Sequence, residues 1–236
     1  LAGPEVFLAV GSCDKALSMP ARTVHTAEAR AWLAAQPAFD ATVAFVTSMP
    51  DSSEVPALGF DGWRRWFTDT AEELCRATHD EAVTIFFQTD VKLDGRQVDK
   101  GFLVSLGAER AGVHCLWHKV VCRAPVGLTT FGRPAFAHLL CFSRALTLDK
   151  AQSSADVLPS LGQMPWARAM GVDACEAVAT FLLAHTQCRT VVDPFCGVGT
   201  MLAVANQRGL DAVGVELSAK RAQKARELAL RPTSPR

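Results

Sequence analysis

The sequence predicts an α/β protein whose sheet is mostly parallel and covered by helices on both faces. Three observations carry that prediction. Short apolar runs, β-branched or aromatic and bounded by turn residues, recur along the chain. Helical patterns fall between several of them, as crossover connections require. One late stretch, "VVDPFCGVGTMLAVANQRGLDAVGVE" at 191–216, reads as strand, glycine-bearing turn, helix and second strand, with a carboxylate at that strand's tip.

The strand candidates, in chain order, are "EVFLAV" (5–10), "RTVHTA" (22–27), "ATVAFVTS" (41–48), "AVTIFFQT" (82–89), "CLWHKVV" (115–121), "AFAHLLCFS" (135–143), "RTVVDPF" (189–195) and "DAVGVE" (211–216). Between them, "TAEARAWLAAQ" (26–36) puts Ala29, Trp32 and Leu33 on one helical face. In "GFDGWRRWFTDTAEELCRA" (59–77), Trp63, Trp66, Phe67, Ala71, Leu74 and Cys75 share helical spacing and read most simply as core. "GVDACEAVATFLLAHT" (171–186) and "GTMLAVANQRGL" (199–210) behave likewise, the second ended by Gly209. The interval 115–143 differs. It holds two strands with no helix between them, an antiparallel pair joined by the polar loop "CRAPVGLTTFGRP". A second long loop, 147–170, has no clean period, and loops of that length are commonly functional. The tail "RPTSPR" is expected to fray.

Composition narrows the classes. The 236 residues suffice for one large domain, and 49% are hydrophobic, so disorder is not the expectation. Net charge is zero, so a nucleic-acid partner would need a local basic patch. The eight cysteines, at 13, 75, 115, 122, 141, 175, 188 and 196, show no metal-binding spacing and read as small buried hydrophobes in a reducing compartment; no metal is expected. No apolar run reaches the ~18–20 residues of a membrane span. No signal-peptide pattern opens the chain, which starts at Leu1; the expectation is a cytoplasmic protein, with an organelle or the nucleus left open.

The chemistry concentrates at 189–216. Gly197 and Gly199 let the backbone turn tightly and approach a ligand. Glu216 ends the next strand 23 residues after Asp193, about the ~20-residue spacing at which an acid can bond a ribose diol. A third glycine and a basic residue are both missing from the turn, so a pyrophosphate fits poorly. A nucleoside bearing an amine and a carboxylate fits better: Asp193 suits the amine, and the helix N-terminus suits the carboxylate.

"DPFCGVGT" followed by "GVELSAKRAQKA" closely resembles motif I and the next motif of S-adenosyl-L-methionine-dependent methyltransferases, in the form found in the group that acts on exocyclic amines of DNA and RNA. The resemblance implies a Rossmann-like methyltransferase sheet. Asp193, Phe195, Cys196, Gly197, Gly199 and Thr200 would then line the methionine end of the cofactor, with Glu216, followed by Leu217, at the ribose. Some members of that family are circularly permuted, with the catalytic half first. This chain is similar to them in order: 1–146 as the catalytic and substrate half, 147–170 as a loop and 171–230 as the cofactor half of a single domain, 1–236. "VHTAEARAWLAAQPAFDATVAFVTSMPD" then resembles the run that ends in the catalytic tetrapeptide, and Glu28 takes the acidic position near adenine. "WARAMGVDACEAVATFLL" (166–183) resembles the helix before motif I.

The tetrapeptide, usually Asp/Asn/Ser-Pro-Pro-aromatic, stands here as Ser48-Met49-Pro50-Asp51. Ser48 could accept a bond from a target amine. Asp51 cannot stack on a base; it reads either as a general base or acceptor, or as a turn cap in "PDSSE". For substrate contacts, Gln88, Asp90 and Lys92 follow a strand's C-terminal end, although solvated sheet edge would look the same. Arg123 and Arg133, with His118 and Lys119, lie among Trp117 and Phe131, a mixture suited to phosphates and bases or to a solvated hairpin. His114 and His138 read as satisfied sheet histidines, and "SAKRAQKAR" (218–226) as an exposed helix face.

The expectation is a methyltransferase acting on a nucleic acid. RNA is favoured over DNA because little of the chain could form a target-recognition region. The alternatives are a small-molecule or protein methyltransferase, or a non-catalytic subunit that activates a partner. A homodimer is left open.

Overall fold

The computed structural model describes residues 19–230. The 5–10 run, Cys13 and "RPTSPR" lie outside the described residues. In chain order the elements are β1 (Arg22–Thr26), α1 (Ala29–Ala34), β2 (Val43–Thr47), α2 (Gly59–Ala77), β3 (Thr84–Gln88), β4 (Val91–Leu93), β5 (Arg96–Val98), α3 (Lys100–Arg110), β6 (His114–Cys122), β7 (Phe136–Ser143), β8 (Val157–Leu158), α4 (Val172–His185), β9 (Thr190–Asp193), α5 (Thr200–Gln207), β10 (Asp211–Glu216) and α6 (Ala219–Glu227). Two short 3-10 turns, Ser52–Glu54 and Pro56–Leu58, lead from β2 into α2.

Eight strands form one sheet in the order β1-β10-β9-β2-β3-β7-β6-β8. The run from β1 to β3 is parallel throughout. β7 lies antiparallel to both β3 and β6, so the antiparallel pair expected at 115–143 is part of the main sheet. β8, two residues of the 147–170 loop, pairs with β6 and adds an edge strand that the sequence did not announce.

Alternation along each strand divides the core into two layers. Ala44 and Val46 of β2 face a cluster with Cys175, Val178 and Leu182 of α4, Met201 and Leu202 of α5, and Ala222 of α6. Phe45, between them, faces the other side, with Trp63, Phe67 and Leu74 of α2 and Leu103 and Val104 of α3. The α2 stripe thus buries as its spacing predicts, with Trp66 only half-buried. α2 and α3 approach so closely that a Cβ on Gly107 would come within 2.5 Å of the Thr68 carbonyl.

The segment 91–110 is where the fold departs from the sequence reading. "VKLDGRQV" closes as a hairpin, with Asp94 at φ 50° and Gly95 at φ 74° in its two-residue turn. An Asp-Gly pair between alternating residues is a strong hairpin signal, yet this stretch is absent from the strand candidates above. α3 follows at once. Its period is masked by glycines at 101 and 107, which pack against His138 and α2 and lower the helical propensity.

Candidate functional site

The chain leaves β9 through α5 to reach β10 on one side. It leaves β2 through α2 to reach β3 on the other. The two loops diverge, and a divergence at the C-terminal ends of neighbouring parallel strands opens a cleft. Here the cleft has a volume of about 550 Å³ and is lined by both loops, by the 161–170 segment and by the starts of α1 and α3.

The β9 wall is built from the "DPFCGVGT" turn. Asp193 is 1% exposed. Thr47 Oγ1 donates to its Oδ1 at 2.7 Å, as does the Phe195 N–H at 3.2 Å, which leaves Oδ2 without a donor among the described residues. Burial pushes this carboxyl up to about 7, with the nearby Glu216 charge adding to it and the two hydrogen bonds opposing. Gly197 sits at φ 57°, where a Cβ would stand against the Trp166 ring at 3.6 Å. Gly199, at φ 84°, is held for a different reason: its Cβ would meet Ala225 of α6 at 3.0 Å. Gly199 caps α5 without a side chain, and the buried Thr200 Oγ1 at the helix's first residue has no partner among the described residues. Cys196 lines the cleft but packs against Gly214, and burial pushes its thiol well up.

Glu216, at the tip of β10, accepts three bonds on Oε1: from the Ser218 N–H at 2.7 Å and from Arg221 Nε and Nη2 at 2.9 and 2.7 Å. Its Oε2 takes no donor among the described residues. The Glu216 bond raises the Arg221 guanidinium against its burial, and that group lies 5.8 Å from the Trp166 ring centroid. The basic helix α6 is therefore not only an exposed face. Glu28 caps α1 by accepting from the Arg30 and Ala31 N–H groups, and it lines the same cleft. Phe195 stands edge-on to Trp66 at 5.9 Å, and Leu217 is exposed at the mouth.

The β2 wall carries Ser48, Met49, Pro50 and Asp51. The Pro50 carbonyl is occupied by Trp63 Nε1 at 3.1 Å. Asp51 is 6% exposed, and its N–H donates to Glu54 Oε2 at 3.0 Å. Lys100 Nζ reaches its Oδ1 at 2.6 Å, and Arg133 Nη2 reaches Oδ2 at 2.5 Å. With a cation on each oxygen, Asp51 does not suit the role of a free general base, which corrects one of the two readings of this residue. Lys100 is 3% exposed, at the first residue of α3 and 5.5 Å from the Phe67 ring centroid. Burial lowers its pKa while Asp51 pulls it back. Lys100 is not among the sequence candidates, although "VDKG" holds the signal: Asp99 caps α3, so Lys100 is fixed at a helix start.

Gln88, Asp90 and Lys92 do not line the cleft, and the reason is the strand period. Phe87 and Thr89 face it, so Gln88 and Asp90 point to the opposite side. Gln88 is fully buried, with no partner for its amide among the described residues. Asp90 accepts from the Lys100 N–H at 2.9 Å and from Gln97 at 2.7 Å, with His138 Nε2 at 3.1 Å. His138 Nδ1 lies 2.9 Å from His118 Nε2, so this histidine is satisfied, as expected. Asp90, Asp99 and His138 have ligand atoms within 4.8 Å of one another, but their hydrogen bonds account for the grouping as a brace for the start of α3. Lys92 lies 5.8 Å from the ring centroid of the exposed Phe131. Arg123 and Arg133 do line the cleft, as does Arg168, which pairs with Glu54 at 2.9 Å.

No family model and no curated protein matches the chain. Solved structures do. A candidate DNA modification methylase from Thermus thermophilus, complexed with S-adenosyl-L-methionine, superposes with a TM-score of 0.66 at 20% identity, covering 88% of this chain and 93% of that one. The cytosine-N4-specific PvuII DNA methyltransferase gives 0.64 at 13% identity over 88% and 87%. The M1.HpyAVI–SAM complex gives 0.57 at 14% over 87% and 98%. At these identities the likeness establishes the fold: an α/β sheet of the methyltransferase kind. No helix among the described residues is long and apolar enough to cross a membrane.

Proposed function

We propose that the chain is an S-adenosyl-L-methionine-dependent methyltransferase acting on a nucleic acid. The observation that carries the reading is the set of incomplete polar groups on one wall of the switch-point cleft: Asp193 Oδ2, the buried Thr200 Oγ1 and Glu216 Oε2. They fit the cofactor group by group. Asp193 would hold the amine, Thr200 and the start of α5 the carboxylate, and Glu216 the ribose diol. Gly197 leaves room where a Cβ would intrude, and Glu28 lies at the adenine end.

The cofactor supplies a methyl group on a sulfonium, which leaves readily, so alignment is most of what remains for the protein. Ser48, at the end of β2, presents a hydroxyl that can accept from an acceptor amine. Trp63 ties down the Pro50 carbonyl and fixes the path of the tetrapeptide beside it. In the strand order, the cofactor unit comes last in the chain yet lies at the middle of the sheet, next to β2. That supports the permuted reading, with 1–146 as the substrate half of one domain.

Two of the neighbours named above, the Thermus thermophilus and PvuII proteins, are described as DNA methylases, and the preference for RNA rests on the lack of a recognition element. The 91–98 hairpin and the 123–134 loop, joined by Lys92 N–H to Gly132 carbonyl at 3.1 Å, supply a small one, which favours DNA. Calorimetry tests the cofactor assignment: micromolar binding of S-adenosyl-L-methionine is expected, and no binding would sink the reading. Incubation with labelled cofactor and separate DNA, RNA and protein pools tests the acceptor, with label expected in a nucleic acid.

A further inference from the structure

We propose that the acceptor half of this cleft is a phosphate site: the molecule methylated carries a phosphate that Arg123 and Arg133 hold while its nucleophile meets the methyl group. The proposal rests on the methyltransferase reading for the reaction, but not for the binding of the anion.

The tetrapeptide's last position, where the resembling family stacks an aromatic on its acceptor, holds Asp51 instead. A carboxylate cannot clamp a ring by its face. What surrounds Asp51 is a set of cations converging on one oxyanion, Lys100 and Arg133 directly and Arg123 beside them along the same cavity. Four cations line this half, Lys100, Arg123, Arg133 and Arg168, against two carboxylates, Asp51 and Glu54. Arg168 is matched by Glu54. Lys100 and Arg133 share Asp51. Arg123 is half-buried, and among the described residues it pairs with no carboxylate, its guanidinium reaching only the Pro134 carbonyl at 3.4 Å. A partly desolvated guanidinium with no ion-pair partner of its own is costly unless an anion arrives. Burial and the neighbouring Arg133 lower its pKa, with the Asp51 charge pulling the other way without pairing with it.

The two cations on Asp51 differ in freedom. Lys100 is fixed: its N–H is bonded to Asp90, its ammonium lies under Phe67 and it is almost fully buried. Arg133 has a side chain 38% exposed on the 123–134 loop. It can swing from Asp51 to an entering phosphate while Lys100 keeps Asp51 neutralised. Paired guanidinium groups match phosphate oxygens bidentately.

The probe is inorganic phosphate, titrated calorimetrically into the protein with S-adenosylhomocysteine. Millimolar binding is expected. Arg123→Gln and Arg133→Gln should each weaken it at least fivefold, Arg133→Lys should restore part of it, and the affinity for S-adenosylhomocysteine should stay unchanged. Circular dichroism checks that the Arg123 and Arg133 variants remain folded. No phosphate binding, or equal binding by native protein and the double variant, overturns the proposal. Label from the methylated pool then separates the sources. Label in polymer, with an oligonucleotide preferred over its nucleoside at least tenfold and the preference lost in Arg123→Gln, places the phosphate in a nucleic acid. Label in small molecules that lose anion-exchange retention after phosphatase places it in a metabolite. Label in unphosphorylated acceptors overturns the site. A protein that binds phosphate but neither cofactor nor label would instead discard the methyltransferase reading and keep the anion site.

Discussion

The two walls of the cleft grow from neighbouring parallel strands, β9 and β2, and carry opposite charge. On the β9 side, three carboxylates, Glu28, Asp193 and Glu216, face one guanidinium, Arg221. On the β2 side, four cations face Asp51 and Glu54. The first wall keeps its acids partly unsatisfied, with Asp193 pushed toward neutrality by burial. The second saturates Asp51 and leaves positive charge over. Since one sheet edge supports both, backbone geometry sets the place of the cleft, and the side chains give each wall its charge. A cationic sulfonium and amine suit the first wall, an anionic acceptor the second.

The strongest way to break the contrast is Asp193→Ala. Removing one partner of a buried charged contact costs about 4 kcal/mol, so cofactor affinity should fall roughly a thousandfold. Calorimetry that showed less than a tenfold loss would remove Asp193 from the site. On the opposite wall, Lys100→Met leaves the buried Asp51 with only the more exposed Arg133 to balance it. Stability should drop by about 3 kcal/mol, and Asp51→Leu in the same chain should recover most of it. Urea denaturation of the two single variants and the double variant reads this coupling. Additive losses would mean that the pair is not a unit.

Acidity sharpens the comparison further. Asp193 has a folded value of about 7 against 3.8 for the unconstrained group. A raised folded value means that its contribution to stability is fully present below about pH 3.8 and is lost as pH rises through about 7. Cofactor binding follows the opposite course, because the amine needs the carboxylate. Affinity should rise about fivefold from pH 6 to 7, flatten, and decline above about pH 8 as an α-amine deprotonates. A flat profile in titrations from pH 5.5 to 8.5 would contradict that assignment. The smallest effects separate the two glycines of the turn. Both alanine variants carry strain of about 1–2 kcal/mol from the left-handed backbone. Gly199→Ala should cost additional thermal stability through α6, and Gly197→Ala additional cofactor affinity, since only Gly197 lines the cleft.

Most of the sheet was legible because its signals are local. Seven of the strand runs are described, and each corresponds to a strand, while α2 spans the residues its stripe marks. That Asp193, Thr200 and Glu216 share one wall was legible for the same reason: Asp193 to Thr200 is contiguous, and Glu216 follows after one helix. The acceptor wall was not. Asp51, Lys100 and Arg133 are far apart in sequence and meet only through the packing of α3 on α2 and the return of β7 beside β3. Gln88 and Asp90, expected at the cleft, stand one residue out of phase with Phe87 and Thr89, and one residue along a strand moves a side chain to the other face.

By itself, then, the sequence determined the α/β class, the elements of the switch point and the chemistry of the 193–216 wall, because periodicity and short motifs are properties of neighbouring residues. Only the tertiary structure decided that Asp51 is ion-paired on both oxygens, that Arg221 holds Glu216, and that the second wall is positive. Charge in a cleft is a sum over residues that the chain brings together from distant places, and burial sets the strength of each one.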